Sequence, residues 1–160
     1  MAHDSFAPHD HTACIRTGLD AASTLCDARG LRLTPVRRRV LELLLAEHRA
    51  MGAYDILEVL RAEGLGSQPP VVYRALEFLV AQRFVHRVER LNAFVACSTP
   101  EDGHRPTFLI CRGCDTVAEA PLAPQNSGLD ELAARQGFAV ERVMVEVEGL
   151  CPKCQDPPQP

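Results

Sequence analysis

The sequence contains no apolar run of the roughly 18 residues that a membrane-spanning helix needs. Its first residues, MAHDSFAPHDHTA, carry acids and histidines where a secretory signal has a basic start and an apolar core. From these two absences we expect a cytoplasmic protein.

The chain also lacks a surplus of positive charge. Its formal net charge is −4, and lysine is almost missing, since Lys153 is the one basic residue of 17 that is not arginine. This balance excludes a generic polyanion binder. The charge is unevenly spread, however: residues 1–90 hold 12 basic and 11 acidic groups, and residues 91–160 hold 5 and 10. Contact with nucleic acid is therefore expected in the first half of the chain.

Cysteine, in contrast, is abundant. Seven cysteines in a reducing compartment indicate metal ligation or thiol chemistry rather than a disulfide framework. Two CxxC pairs, Cys111–Cys114 and Cys151–Cys154, each follow a strand-like run, and four thiolates at about 2.3 Å suit a closed, tetrahedral Zn²⁺ site. The 36 residues between the pairs accommodate a strand, a helix and a strand. Thiol-disulfide catalysis is the competing interpretation, although it normally uses one CxxC at a helix start.

The first half of the chain reads as helices followed by a hairpin. Residues 1–14 are expected to be a disordered tail, and a helix is predicted from Ile15 to Ala28, in which Cys26 is a small buried hydrophobe and Cys14 lies at the frayed end. Thr34-Pro35 and Gly52 start two further helices. A fourth runs from Pro70 to Arg83, and two short strands, FVHRVER and AFVAC, follow. This order predicts a winged helix-turn-helix domain over residues 15–97.

In such a domain the helix from Pro70 to Arg83 is the one that enters the major groove of DNA. Tyr73 and Arg74 lie near its start, away from its apolar stripe. An arginine can bond a guanine edge with two hydrogen bonds, and a tyrosine can pack on a thymine methyl group or bond a phosphate. The three successive arginines at 37–39 cannot all point one way, so they are either phosphate contacts in part or simply a solvated face.

The second half predicts a small α/β domain over residues 106–154, after a polar hinge at residues 98–105 and before a tail at residues 155–160. Strands are predicted at TFLIC and TVAEA, a helix after Ser127, and a strand from Ala139 to Glu148. In that last strand the valines alternate with Met144, Glu146 and Glu148, which predicts one wet face. The fold class is therefore α+β.

Four further residues of ligand type surround the hinge: His86, Cys97, His104 and Glu119. Each has an ordinary explanation when taken singly, as an exposed histidine, a buried thiol or a surface acid. Together they supply N, S, N and O donors, which suits four-coordinate zinc. Since His86 and Cys97 lie on the hairpin and Glu119 lies beyond the hinge, an ion held by all four would set how one domain sits on the other.

Several segments resemble the ferric-uptake-regulator (Fur) superfamily, and within it the zinc-uptake regulators. They are RLTPVRRRVLELL, GAYDILEVLR, PPVVYRALEFLVAQRFVHRVE, NAFVAC and the paired CxxC motifs, and the likeness covers residues 15–154 in order. It implies a homodimer with N-terminal winged helices and C-terminal dimerisation domains. Such dimers bind palindromic operator DNA when metal-loaded and repress uptake genes.

Carried over by position, the resemblance implies two zinc ions per chain. The structural zinc falls on Cys111, Cys114, Cys151 and Cys154, the regulatory zinc on His86, Cys97, His104 and Glu119, and the base-reading pair on Tyr73 and Arg74. The run EDGHRPTFLIC holds one histidine where iron- and manganese-sensing relatives have several, which favours zinc. A further metal would have to use His3, His9 and His11.

Three other functions remain open at this point. An iron or peroxide sensor would keep the architecture, and Cys97 with the sparse histidines argues against it. A CxxC thiol oxidoreductase would be an enzyme, whereas the resemblance implies a protein that is not one. A zinc-ribbon interaction module would leave Tyr73 and Arg74 unexplained.

Overall fold

A computed structural model describes residues 10–47, 49–100, 105–121 and 128–155. Its helices are α1 (His11–Ala28), α2 (Pro35–Leu45), α3 (Ala53–Ala62), α4 (Pro69–Ala81), α5 (Gly128–Arg135) and α6 (Pro152–Gln155). Its strands are β1 (Val85–Val88), β2 (Ala93–Ala96), β3 (Pro106–Cys111), β4 (Val117–Pro121) and β5 (Val145–Gly149). The predicted α+β class is confirmed. Within the described ranges no helix has both the length and the apolar character needed to cross a bilayer.

The first helix begins earlier than its apolar pattern predicts. The side chain of Asp10 accepts a hydrogen bond from the backbone N–H of Thr12 at 2.9 Å, and α1 starts at His11. Such a cap satisfies one of the N–H groups that the first turn leaves without a helical partner. The expectation of a disordered tail is therefore wrong for residues 11–14. His3 and His9 lie outside the described residues.

The next two helices begin at the predicted caps. The hydroxyl of Thr34 accepts from the N–H of Arg37 at the start of α2, and the carboxylate of Asp55 accepts from the N–H of Gly52 at the start of α3. The apolar faces of α1 to α4 then meet in one core. Its largest fully buried side chains include Leu44, Ile56, Leu57, Leu60, Leu76, Leu79 and Phe84.

The fourth helix leads directly into the hairpin. α4 begins with two prolines, which remove two of the N–H groups that a first helical turn leaves without a helical partner. After its end at Ala81, Arg83 adopts a φ of 64° and turns the chain. β1 and β2 then pair antiparallel, from Val85 opposite Ala96 to Val88 opposite Ala93. We call this hairpin, residues 85–96, the wing.

The C-terminal sheet has the strand order β4-β3-β5, with β3 antiparallel to β4 and parallel to β5. β5 begins at Val145, because Val145 is the residue that pairs with Thr107 near the start of β3. The predicted strand from Ala139 is therefore wrong for residues 139–144, and β5 also extends one residue further, to Gly149.

The predicted wet face of β5 is present only in part, since the side chain of Glu148 is 43% exposed but Glu146 contacts the wing. Glu146 and Glu148 are paired in register with Phe108 and Ile110, so these four side chains share one face of the sheet. That face meets the wing, whereas Val147 on the opposite face is 46% exposed. Side chains of β5 do alternate between two faces, but this alternation in the sequence does not indicate which face packs against the wing.

The wing lies between the helical core and the C-terminal sheet. Val88 and Val95 of the wing pack with Phe108, Ile110 and Val117 of the sheet in a second apolar cluster. The segment before α3 contacts both the wing and the C-terminal sheet. Met51 forms a β-bridge with Phe94 of the wing, and Arg49 forms one with Thr116, which precedes β4. The wing therefore packs against the helical core on one side and against the C-terminal sheet on the other.

Candidate metal centres and nucleic-acid interface

Four cysteines from the two ends of the C-terminal half come together at one edge of the sheet. The sulfurs of Cys111, Cys114, Cys151 and Cys154 all lie within 4.8 Å of one another. We call this set the four-cysteine cluster. Cys111 ends β3, and Cys114 belongs to the turn between β3 and β4. Cys151 and Cys154 follow β5. Because β5 runs parallel to β3, the two strands end side by side, and the second cysteine pair lies next to the end of β3. The convergence predicted for the two CxxC pairs is present in the fold.

Neighbouring groups lower the pKa of two of these thiols, those of Cys111 and Cys114. The N–H groups of Cys151 and Gly113 point at the sulfur of Cys111, at 3.3 and 3.4 Å. The bond from Cys151, followed by that from Gly113, lowers the pKa of Cys111 to about 6. The hydroxyl of Thr116, 3.2 Å from the sulfur of Cys114, lowers the pKa of that thiol. In contrast, the neighbouring sulfurs, Cys151 first, raise the pKa of Cys154 to about 12.

This pattern fits a metal site. Several thiolates at this spacing repel one another unless a cation lies between them, and the neighbouring sulfurs therefore make the Cys154 thiol difficult to ionise. The sulfurs of Cys114 and Cys151 are 3.7 Å apart. The edge of a zinc tetrahedron with bonds of about 2.3 Å is about 3.8 Å long. The four donors therefore suit Zn²⁺ in both chemistry and spacing.

A second cluster joins the wing to the C-terminal sheet. The ligand atoms of His86 on β1, Cys97 after β2 and Glu119 on β4 lie within 4.8 Å of one another, and all three side chains are almost fully buried. We call these three residues the junction cluster. The Nε2 of His86 is 3.3 Å from the Oε1 of Glu119, and the sulfur of Cys97 is 3.9 Å from the same oxygen. His104, the fourth predicted ligand, lies outside the described residues.

Neighbouring groups fix the three side chains in place. The imidazole of His86 packs against the ring of Phe108, with 5.5 Å between centroids. The second carboxylate oxygen of Glu119 accepts from the N–H of Ser98 at 2.8 Å, and the N–H of Cys97 donates to the carbonyl of Phe84 at 2.9 Å. Burial, then the charge of Glu119, raises the pKa of the Cys97 thiol to about 12. One N, one S and one O donor at this spacing suit a borderline cation such as zinc.

The predicted base-reading residues lie at the accessible start of α4. Tyr73 is 44% exposed and Arg74 is exposed, while Val72, Ala75, Leu76 and Leu79 of the same helix are buried. Tyr54, at the start of α3, is also exposed, by 68%. The chain has only two tyrosines, and both are exposed. Composition gives their small number, but their exposure is known only from the structure.

The three successive arginines of α2 have different surroundings. Arg37 stacks on the ring of Phe78 at 3.6 Å and donates to the carbonyl of Arg32. Arg39 is paired with Glu42 and Glu63, at 2.7 and 2.6 Å. Arg38 is exposed. Of the three, Arg38 is therefore the one whose side chain is best placed to reach outward.

An apolar surface remains on the C-terminal half. Large hydrophobic side chains there are exposed by more than a third: Leu109, Leu129, Leu132, Phe138, Val140, Val147 and Leu150. They come from α5, the segment after it, the outer face of β3 and β5, and the residue that follows β5. We call this set the outer apolar face. Exposed large apolar side chains of this kind are typical of protein–protein interfaces.

The fold and the two clusters define a winged-helix protein in which side chains that could hold a metal ion converge at the end of the C-terminal sheet and between this sheet and the wing. Residues 28–148 match the model of the Ferric uptake regulator family, and the chain belongs to that family. The protein is accordingly a regulator and not an enzyme.

Within the family the chain is similar to zinc regulators. It is 39% identical over 137 residues to the Zinc uptake regulation protein of Escherichia coli (strain K12), covering 85% of this chain and 80% of that protein. A solved structure described as a zinc uptake regulator complexed with zinc and DNA aligns with a TM-score of 0.83 and 38% identity. It covers 88% of this chain and 95% of the other.

A third relative has been solved in two states. The holo structure of XcZur aligns with a TM-score of 0.78 at 41% identity, covering 87% of this chain and 97% of that one. The apo structure of XcZur aligns with a TM-score of 0.51 at 39% identity, covering 90% and 99%. The arrangement of this chain therefore resembles that relative's holo form more than its apo form.

Proposed function

We propose that this protein is a zinc-responsive transcriptional repressor, which binds operator DNA as a dimer when zinc-loaded and represses zinc-uptake genes. The observation that carries the proposal is the cluster of His86, Cys97 and Glu119, which joins the wing to the C-terminal sheet. Its donor set suits zinc. The similarity to relatives named for zinc uptake and for zinc and DNA binding supports it.

We assign the four-cysteine cluster a structural role. Cys111, Cys114, Cys151 and Cys154 would hold one zinc ion that ties the chain after β5 to the end of β3. A site with four protein ligands is closed to water and exchanges slowly, as structural zinc sites do. In this role the four thiolates keep the small C-terminal domain folded irrespective of the zinc level.

We assign the junction cluster the sensing role. His86, Cys97 and Glu119, with His104 as the fourth ligand, would hold a second ion, which supplies attraction between donors on opposite sides of the hinge. The buried carboxylate of Glu119 holds the sheet side, and His86 and Cys97 hold the wing side. A shift from mostly open to mostly closed needs about 3–5 kcal/mol of differential zinc affinity.

We infer that α4 reads DNA through Tyr73 and Arg74. Both are exposed at the N-terminal end of the helix, where recognition helices meet base edges. Arg74 would bond a guanine edge, Tyr73 would contact a thymine methyl or a phosphate, and Arg38 would contact a phosphate. Tyr54, exposed at the start of α3, is a further candidate for the same surface.

We propose a homodimer formed through the outer apolar face. A dimer with two-fold symmetry presents two α4 helices in opposite directions, and this requires an operator with two inverted half-sites. The proposed units are residues 15–97 for DNA binding, 98–105 for the hinge and 106–154 for dimerisation. We place the protein in the cytoplasm, where both DNA and a fluctuating zinc pool are accessible.

The test of this function is operator binding across buffered free zinc. The full-length protein, retaining its tightly bound zinc, would be titrated onto labelled upstream DNA of zinc-uptake genes from its host, and binding followed by fluorescence anisotropy. We expect affinity to rise at least tenfold between chelated and zinc-replete conditions, with the same DNA scrambled as control. Equal affinity in both conditions would contradict zinc sensing, and no preference over scrambled DNA would contradict operator recognition.

A further inference from the structure

A carboxylate from β5 caps the turn at the tip of the wing. One oxygen of Glu146 accepts from the backbone N–H of Glu89 at 2.6 Å, and the other accepts from the N–H of Arg90 at 2.9 Å. Two successive N–H groups directed at one carboxylate form an anion-binding concavity, and such charge-assisted bonds are stronger than neutral ones. The donor turn belongs to the wing and the acceptor to the C-terminal sheet, so this contact crosses the domain junction.

An ion pair reinforces the same contact. The Nε of Arg90 lies 2.8 Å from a carboxylate oxygen of Glu148, two residues after Glu146 on the same face of β5. Both side chains of this pair are more than 40% exposed, so solvent screens it and its contribution is small. The backbone bonds to Glu146 therefore account for most of the attachment, which we call the clamp.

The position of this contact on the sheet is as important as its strength. Glu119 of the junction cluster lies on β4, one edge strand, and Glu146 lies on β5, the opposite edge strand, with β3 between them. Two strand spacings separate the edges by about 10 Å. The apolar cluster already packs the wing on the sheet, and attachments at both edge strands then oppose tilting of the wing about either edge.

We propose that Glu146 is a positioning residue that holds the wing at the DNA-binding angle without touching metal or DNA. Together the clamp and the junction cluster favour the same closed arrangement. Thermodynamic linkage then requires the clamp to raise the affinity of the junction cluster for zinc, because zinc binding no longer has to close the domains alone. This inference rests on the proposed zinc sensing, and it deepens it by naming a second control point.

The experiment compares Glu146→Gln with Glu131→Gln in the full-length protein that retains its first zinc. Glutamine keeps the shape of the side chain but places an NH₂ group against an N–H donor. Glu131→Gln removes the same charge from the exposed surface of α5, where Glu131 is paired with Arg135. Zinc affinity of the second site is measured by competition with a chromogenic chelator, and exchange of the Glu89 and Arg90 amides by NMR.

For Glu146→Gln we expect the free zinc at half-occupancy of the second site to rise about tenfold, and the two amides to exchange about tenfold faster. The first zinc should be retained, and Glu131→Gln should match the wild type. Unchanged second-site affinity together with unchanged exchange of both amides would overturn the proposal. Loss of the first zinc would also overturn it, since Glu146 would then be needed for the fold itself.

A charge exchange provides an independent variant. Arg90→Glu and Glu148→Arg should each weaken second-site zinc binding, by about threefold or less, and the double exchange should restore part of the loss. No recovery in the double variant would contradict a contact at this edge. The amide exchange is measured without DNA, so the two proposals can be tested separately. The Glu146 proposal can be contradicted while zinc-dependent operator binding is observed. The contact itself can be confirmed even if operator binding does not depend on zinc.

Discussion

The Oε1 of Glu119 lies 3.3 Å from the Nε2 of His86, although one residue belongs to the C-terminal sheet and the other to the wing. Both side chains are more than nine-tenths buried. A carboxylate in such a place requires partners that offset its lost hydration. The junction between the domains is therefore built around polar groups as well as around Phe108 and its apolar neighbours.

Replacing Cys97 should separate sensing from folding. In Cys97→Ser the junction cluster loses its soft donor, so we expect zinc content to fall from two ions to one per chain and zinc-dependent operator binding to disappear. The dimer should remain folded, by circular dichroism and sedimentation. Cys14→Ser, on the first turns of α1, is the matched control and should retain both ions. If Cys97→Ser unfolds, the residue has a structural role instead.

Chelation should remove the two ions in sequence. The junction cluster offers three described ligands from three separate segments, whereas the four-cysteine cluster is closed by sulfur alone. We expect a moderate chelator to remove one zinc with the fold intact, and a strong chelator to remove the second and unfold the C-terminal half. Metal analysis alongside circular dichroism would follow both steps. Simultaneous loss of both ions would contradict separate roles.

Arg74→Ala should weaken operator binding by about 1–3 kcal/mol and relax the preference at one base position. The reason is that Arg74 is exposed at the start of α4, where it would read a base edge in the proposed function and does not support the core. Binding to a panel of single-base operator variants would measure both effects. Arg135→Ala, exposed on α5, is the control. A uniform loss across the whole panel would assign Arg74 to a phosphate.

Arg38 and Arg39 should behave differently despite being adjacent. Arg38→Ala is expected to weaken DNA binding and reduce its salt dependence by about one counterion. Arg39→Ala is expected to lower Tm by about 1–3 °C and to leave DNA binding unchanged, because Arg39 is held by Glu42 and Glu63. Equal effects of both substitutions on DNA binding would contradict this division.

The Arg39 contribution should also depend on pH. A side-chain hydrogen bond from Arg39 lowers the pKa of Glu63. A carboxyl group with a lowered folded pKa stabilises the fold above its unfolded pKa, and the contribution is lost as pH falls through the folded pKa. The difference in Tm between the wild type and Arg39→Ala should therefore be present at neutral pH and vanish in acid. A constant difference would exclude Glu63 as the source.

Leu132→Glu should dissociate the dimer. Leu132 is 56% exposed within the outer apolar face, and a charge there would have to be buried in the proposed interface. Sedimentation should show a monomer that retains the zinc of its four-cysteine cluster, while Ala28→Glu, exposed at the end of α1, should remain dimeric. A Leu132→Glu protein that is still a dimer would place the interface elsewhere.

Local signals in the sequence determined much of this protein. Thr34-Pro35 and Gly52 predict helix starts because a cap and its first turn are neighbours in the chain, and α2 and α3 begin there. The spacing of Cys111 with Cys114 predicts a shared ion for the same reason. The start of α1 at His11 differs from the predicted start, because the N-cap Asp10 and the first turn show no apolar periodicity.

The tertiary structure alone decided what each face meets. Alternation in β5 predicts two faces, but only the parallel pairing of β3 with β5 brings Glu146 and Glu148 against the wing. Likewise, the three adjacent arginines are equivalent in the sequence. The structure distinguishes them, because Arg37 stacks on Phe78 and Arg39 is paired with Glu63. Contacts between residues far apart in the chain depend on how whole elements pack, and no local pattern records that packing.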